Sequence, residues 1–102
     1  MAKGYWVAQV DVADPEAYKA YMRANAEVFR THGGRFLIRG GAAEVMEGQT
    51  RSRTIVIEFA DLASALACYR SPEYTAAIAL RADVSTADLV VIEGYDGPQP
   101  AD

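Results

Sequence analysis

The fold of this chain is decided by the stretch YWVAQVDVADPEAYKAYMRANAEVFRTHGGRFLI, residues 5–38. It opens with a short apolar and aromatic segment, Tyr5 to Val12, which predicts a β-strand. Asp14 and Pro15 then predict the start of a helix, because aspartate caps free N–H groups and proline suits the first helical position. The helix is expected to run to about His32, just before two glycines that favour helix termination.

Working outward from this stretch, the sequence predicts three strands and one further helix. The second strand covers Arg35–Ile38 and continues past a bulge over Glu44–Glu47, and the third strand covers Arg53–Phe59. The second helix runs from Leu62 to about Arg70, restarts at Ser71–Pro72 and ends near Ala82. The fourth strand runs from Asp88 or Leu89 to near Tyr95. The order β-α-β-β-α-β is typical of the α+β ferredoxin-like fold, a four-stranded antiparallel sheet with both helices on one face. We expect a single domain over residues 1–102, with an extended tail over residues 96–102.

Composition excludes several classes of function. The chain has 102 residues and a formal net charge of -4, and this acidic balance argues against binding to nucleic acid or to anionic membranes. One cysteine excludes an internal disulfide, and a single histidine disfavours a Cys/His metal site, so we expect neither a metal nor a cofactor. No apolar run is long enough to span a membrane and no signal-peptide core is present, which predicts a cytoplasmic location.

Alternation along the strands divides their side chains into two sets. The uncharged set is expected to face the helices and contains Trp6, Ala8, Val10, Phe36, Ile38, Ile55, Ile57, Phe59, Val90 and Ile92. The other set mixes charged and apolar residues, and its aliphatic members are Val7, Leu37, Val56, Leu89 and Val91. This second face is either an ordinary solvated surface or the interface of a sheet-on-sheet homodimer. The apolar patch favours the homodimer.

One stripe of the first helix carries polar groups among apolar ones. Within a single arc lie Tyr18, Tyr21, Met22, Asn25, Val28, Phe29 and His32. A buried amide or imidazole without a partner costs roughly 1–3 kcal/mol, so each must be satisfied. Either Asn25 bonds a backbone carbonyl or a tyrosine hydroxyl and His32 lies at the helix end, or these groups line a half-polar cavity between helix and sheet.

Three other residues with reactive or charged side chains have simpler interpretations. Cys68 lies on the flank of the second helix and is expected to be a small buried filler. Arg35 and Arg39, on one face of the second strand, could hold a carboxylate ligand. They could equally pair with Glu58 and Glu93, and this structural pairing is the favoured interpretation.

Several segments resemble one known family. They are Gly4–Trp6, Asp14–Tyr18, Gly33–Gly41, Ile57–Phe59, Tyr69–Tyr74, Arg81 and Glu93–Gly97. Together they span residues 4 to 97 and resemble the domain of unknown function DUF1330. The resemblance implies the dimeric α+β-barrel superfamily, in which two ferredoxin-like sheets pack face to face. It also implies relatives such as cofactor-free monooxygenases, isomerases, dehydratases and haem enzymes, often with ligands between the sheet and the helices.

These observations predict a protein that binds a small aromatic or carboxylic metabolite, or a cofactor-independent enzyme of the oxygenase or isomerase type. The expected catalytic residues are His32 and Asn25, since His32 is the only side chain whose ordinary pKa lies near neutrality. The expected ligand-binding residues are Trp6, Tyr18, Tyr21, Arg35, Arg39 and Tyr74. The alternative is a non-catalytic homodimeric binding or regulatory module that acts through the sheet face.

Overall fold

Four strands and three helices follow one another along residues 2–101, which are the residues that this computed structural model of the chain describes. They are β1 (Gly4–Val12), α1 (Pro15–Thr31), β2 (Arg35–Arg39), β3 (Arg53–Phe59), α2 (Leu62–Arg70), α3 (Pro72–Ala79) and β4 (Ser85–Glu93). The predicted ferredoxin-like order is confirmed, with the second helix divided into α2 and α3.

Capping side chains define the helix boundaries. Asp14 Oδ1 accepts a hydrogen bond from the Ala17 backbone N–H at 3.2 Å and so begins α1. The hydroxyl of Ser71 donates to the Cys68 carbonyl at 2.8 Å and accepts from the Tyr74 N–H at 3.2 Å. One serine therefore ends α2 and begins α3, as the sequence predicted.

Three predicted boundaries were wrong. Helix α3 ends earlier than expected, at Ala79, and β4 begins earlier, at Ser85. Glu44–Glu47 do not continue β2, because the chain leaves the sheet immediately after that strand. It does so at Gly40 and Gly41, whose φ angles of 72° and 96° lie in the region that glycine tolerates without strain.

The four strands form one antiparallel sheet in the order β2-β3-β1-β4. All three helices cover the same face of this sheet, which we call the inner face, and the opposite face is the outer face. In the central register Val7 of β1 stands opposite Val56 of β3 and Val90 of β4. Residues that stand opposite one another share a face, so this register divides the inner from the outer side chains.

The core centres on Trp6 of β1. Its indole Nε1 donates to the Ala65 carbonyl of α2 at 2.8 Å, which satisfies the one polar atom of the ring. The rings of Tyr74 and Phe29 meet it edge to face, with centroids 4.9 Å and 5.1 Å away, and Phe59 packs at 5.7 Å. This aromatic cluster joins the sheet to α1, α2 and α3.

The faces of β4 were predicted wrongly. Leu89 and Val91 pack against the core, whereas Val90 and Ile92 lie on the outer face and are each 50% exposed. Four successive apolar residues carry no alternation, so only the pairing with β1 decides which pair is buried. Val91 stands opposite Trp6 in that pairing and takes the inner face.

Strand β2 changes face part-way along its length. Phe36 stands opposite Ile57 on the inner face, but after a register shift it is Ile38 that stands opposite Val56, on the outer face. Ile38 was expected in the core and is instead 45% exposed. The shift is a β-bulge, in which one extra residue reverses the faces of those that follow. Arg39 is thereby turned toward the inner face.

Candidate functional site

A narrow cavity lies between α1 and the inner face of the sheet, with about 50 Å³ of free space for water-sized molecules. Its apolar walls include Trp6 and Ile57 of the sheet and Met22 and Phe29 of α1. A groove of about 260 Å³ adjoins it under the start of α1. The groove is lined by Val12, Pro15, Tyr18, Lys19, Met22 and Arg53, of which Tyr18, Met22 and Arg53 also line the cavity.

Two tyrosines and an arginine form a network in the cavity wall. The hydroxyl oxygens of Tyr21 and Tyr74 lie 2.7 Å apart, and Arg81 donates to the Tyr74 hydroxyl at 3.5 Å. The Arg81 guanidinium also lies 5.4 Å from the centre of the Tyr21 ring. Burial raises the pKa of Tyr74, so this hydroxyl stays protonated and can donate or accept hydrogen bonds but does not carry charge.

Two further polar side chains in the cavity wall have no hydrogen-bond partner among residues 2–101. Asn25 and Tyr18 are each only 7% exposed. Within residues 2–101, neither the Asn25 amide nor the Tyr18 hydroxyl makes a hydrogen bond to another protein group. Burial raises the pKa of Tyr18, so its hydroxyl is a neutral donor. Their polar atoms are not fully buried, so both groups face the open space of the cavity, where water or a ligand can bond to them.

Arginines surround the mouth of the cavity. Arg39 reaches it through the bulge in β2 and stacks over the Phe36 ring, 4.3 Å from the ring centre. Arg53 reaches it from the start of β3. Its guanidinium passes close to Gly40, since a Cβ atom added to this glycine would lie 3.5 Å from the guanidinium nitrogens. Along the described part of the chain, no carboxylate lies within ion-pair distance of Arg39, Arg53 or Arg81.

The structure brings most of the predicted site residues together. The residues that line this one cavity are Trp6, Tyr18, Tyr21, Asn25, Arg39 and Tyr74. His32 is not among them, since it caps the end of α1 and lines a separate surface groove with Glu27 and Glu73. Arg35 is not among them either, since it lies on the outer face opposite Glu58. The roles predicted for all of these residues stay predictions.

Sequence reasoning missed two residues of the site. Arg53 lies on the inner face with Ile55 and Ile57, and the alternation of β3 contained that signal. Arg81 follows α3 in a turn and enters the cavity only because the tertiary fold places it beside Tyr74. No periodicity in the sequence could have found it.

The arrangement favours the binding of a negatively charged group. Among the described residues, the cavity is lined by guanidinium, amide and hydroxyl groups, but by neither a carboxylate nor an imidazole. Within residues 2–101, no group of three or more His, Cys, Asp or Glu side chains is placed to hold a metal ion. Over the same residues, no helix combines the length and the apolar character that crossing a membrane requires.

The fold and the cavity define a class, the ferredoxin-like α+β proteins with a pocket between helices and sheet. The chain belongs to the family described as domain of unknown function (DUF1330), which matches residues 3–95. The predicted family resemblance is therefore confirmed. No protein with a curated description is similar to this chain in sequence.

Solved structures with the same fold share little sequence identity with this chain. A protein of unknown function from Rhodopseudomonas palustris is 19% identical, with a TM-score of 0.73 over 94% of this chain and 85% of its own. SnoaB, a cofactor-independent oxygenase from Streptomyces nogalater, is 14% identical, with a TM-score of 0.63 over 98% of this chain and 99% of its own. A dimeric ferredoxin-like protein of unknown function from Thermobifida fusca is 14% identical, with a TM-score of 0.54 over 89% and 92%. These likenesses establish the fold alone.

Proposed function

We propose that this protein binds a small aromatic or carboxylic molecule in the cavity between α1 and the inner face of the sheet, either as a binding protein or as a cofactor-independent enzyme. The observation that carries the proposal is the pair of polar side chains, Asn25 and Tyr18, that line the cavity without a hydrogen-bond partner among residues 2–101. Both groups reach the open space of the cavity, so a polar ligand bound there can form a hydrogen bond with each of them.

The arginines indicate what kind of reaction this site would support. A reaction in which negative charge develops on the substrate is accelerated by fixed positive charges and donors already in place. Arg39, Arg53 and Arg81 supply such charges around the cavity. An oxygenase or isomerase reaction that proceeds through a substrate anion fits this environment, and the similarity to SnoaB supports the oxygenase class. In this proposal Asn25 contacts the ligand, whereas His32 lies outside the cavity and takes no part.

The test is a binding screen with small aromatic and carboxylic compounds, monitored by backbone NMR shifts. Compounds that bind should shift resonances of the residues lining the cavity, and the substitution N25L should weaken their binding. The substitution H32Q is the control, because His32 belongs to a different groove. Shifts confined to the surface around His32, or equal affinity of N25L and wild type, would contradict the proposal.

A second proposal concerns association through the outer face. One row of aliphatic side chains crosses the whole sheet through Ile38, Val56, Val7 and Val90. Ile38 and Val90, at the two ends of the row, are 45% and 50% exposed. A second copy packed sheet on sheet would cover the row.

The oligomeric state tests this second proposal. At micromolar concentration the wild-type protein should have twice the mass of the 11.0 kDa chain. The substitution V90D should give a folded monomer, whereas A76D, which adds the same charge on the exposed surface of α3, should remain dimeric. A wild-type protein that is monomeric at 100 micromolar would contradict the homodimer. The cytoplasmic location expected from the sequence stays a prediction.

A further inference from the structure

The bulge in β2 separates two arginines that regular alternation would place on one face. Arg35 stands opposite Glu58 on the outer face, whereas Arg39 stands opposite Ile55 on the inner face. In a regular strand, residues four apart point the same way. The extra residue, Leu37, therefore moves one positive charge from the outer surface into the wall of the cavity.

Positive charge is concentrated there although the chain as a whole is acidic. The formal net charge is -4, yet Arg39, Arg53 and Arg81 all line the cavity without a carboxylate in ion-pair distance along residues 2–101. Unpaired cations around a partly enclosed space repel one another, and an anion bound among them relieves this repulsion. Guanidinium groups also match the planar, two-oxygen geometry of a carboxylate.

The volumes show how a ligand would divide between the two spaces. The cavity has about 50 Å³ of free space, which suits the small head group of a ligand better than its body. The groove beside it has about 260 Å³, and Val12, Pro15, Met22 and Lys19 are among the residues that line it. Tyr18, Met22 and Arg53 border both spaces, so a molecule that occupies both must pass between these side chains.

We propose that the ligand is a carboxylate with an apolar body, its carboxylate held in the cavity among Arg39, Arg53, Asn25 and Tyr18, and its body in the groove under the start of α1. This inference rests on the proposed function and names the class of ligand that the site takes. Arg81 contributes positive charge to the cavity wall, where its guanidinium donates to the Tyr74 hydroxyl and lies over the Tyr21 ring.

The experiment is a calorimetric titration at neutral pH with acetate, butyrate, hexanoate, hexanamide and hexyl phosphate. Hexanoate should bind at least tenfold more tightly than hexanamide, because only the acid carries the charge. Affinity should rise about fourfold for each CH₂ group that enters the groove. Hexyl phosphate should bind more weakly than hexanoate, because its tetrahedral head group is larger than a planar carboxylate and the free space in the cavity is only about 50 Å³.

Matched variants locate the binding groups. R39Q and R53Q should each weaken the binding of hexanoate about tenfold and leave the affinity for hexanamide unchanged. R35Q removes the same charge from the same strand as R39Q but on the outer face, and it should bind hexanoate like the wild type. Circular dichroism establishes that each variant is folded before it is titrated.

The outcomes separate this inference from the proposed function. The carboxylate assignment is overturned if hexanamide binds as tightly as hexanoate, or if R35Q loses as much affinity for hexanoate as R39Q does. Binding in the cavity would still stand in either case. Tighter binding of hexyl phosphate, or affinity independent of chain length, also overturns it. If neither the acids nor the amide bind at millimolar concentration and no compound in the wider screen binds, the proposed function fails with it.

Discussion

The buried Tyr21–Tyr74 pair allows a quantitative test of the site's architecture. Their hydroxyl oxygens lie 2.7 Å apart inside the wall of the cavity. Removing one hydroxyl leaves the other without its partner, whereas removing both leaves no unsatisfied group in the pair. We therefore expect Y74F alone to lower the free energy of unfolding by about 1–3 kcal/mol. The double variant Y21F/Y74F should lose less than the sum of the two single variants.

The expected coupling follows from the same contact. Neighbouring residues in one hydrogen-bond network show interaction energies of about 0.5–3 kcal/mol, and a single neutral hydrogen bond of ordinary length suggests about 1 kcal/mol here. The hydrogen bond from Arg81 to Tyr74 is longer, at 3.5 Å, and contributes less to the free energy of unfolding. Y74F removes this bond as well, so it should cost more than Y21F.

The assay is urea unfolding followed by the fluorescence of Trp6, whose ring centre lies 4.9 Å from that of Tyr74. Unchanged m-values would show that the substitutions alter stability and not the extent of unfolding. The control is Y69F, which removes a hydroxyl for which the structure shows no hydrogen bond along residues 2–101, and it should change stability by less than about 0.5 kcal/mol. Additive effects of Y21F and Y74F would refute the buried pair.

Three further predictions concern the scaffold. G4A should destabilise the protein by about 1–3 kcal/mol or more in urea unfolding, because an added Cβ would lie 2.3 Å from the Asp61 carbonyl oxygen; an unchanged midpoint would contradict this close approach. Hydrogen bonds from the Ser52 backbone and the Arg51 side chain hold the pKa of Asp11 below its ordinary value, so the stability that Asp11 adds is present at neutral pH and is lost as the pH falls through its folded-state pKa. Urea midpoints of the wild type and D11N should therefore converge on acidification, and a constant gap would argue against these bonds. Burial raises the pKa of Cys68 to about 12, so a thiol reagent at neutral pH should label it only as fast as the protein opens; rapid labelling in native buffer would place this thiol at the surface.

The candidate site was predictable in part. Asn25 on an otherwise apolar helical stripe indicated a polar cavity, and Tyr18 and Tyr21 indicated which face of α1 borders it. The buried face of α1 could be predicted because the helix is long and strongly amphipathic, so that face follows directly from the 3.6-residue period. The same period placed His32 on that face, but the helix ends at Thr31 and the residue caps it outside the cavity.

The arginines show where sequence reasoning reached its limit. Arg39 was grouped with Arg35, because two-residue alternation assumes an unbroken ladder and no local sequence signal marks the bulge. Arg81 could not have been assigned at all, because its position depends on how α3 packs over the sheet. The cationic character of the cavity is therefore a tertiary property.

The sequence by itself determined the elements and their order, since caps, glycine stops and the alternation of β1 and β3 are local signals that act within a few residues. The structure alone decided which of the apolar residues 89–92 face the core, and which way Arg39 points. Both depend on pairing with a strand distant in the chain. A strand that is apolar on both sides, or that carries one extra residue, contains no local energy difference between its faces until its neighbour is in place.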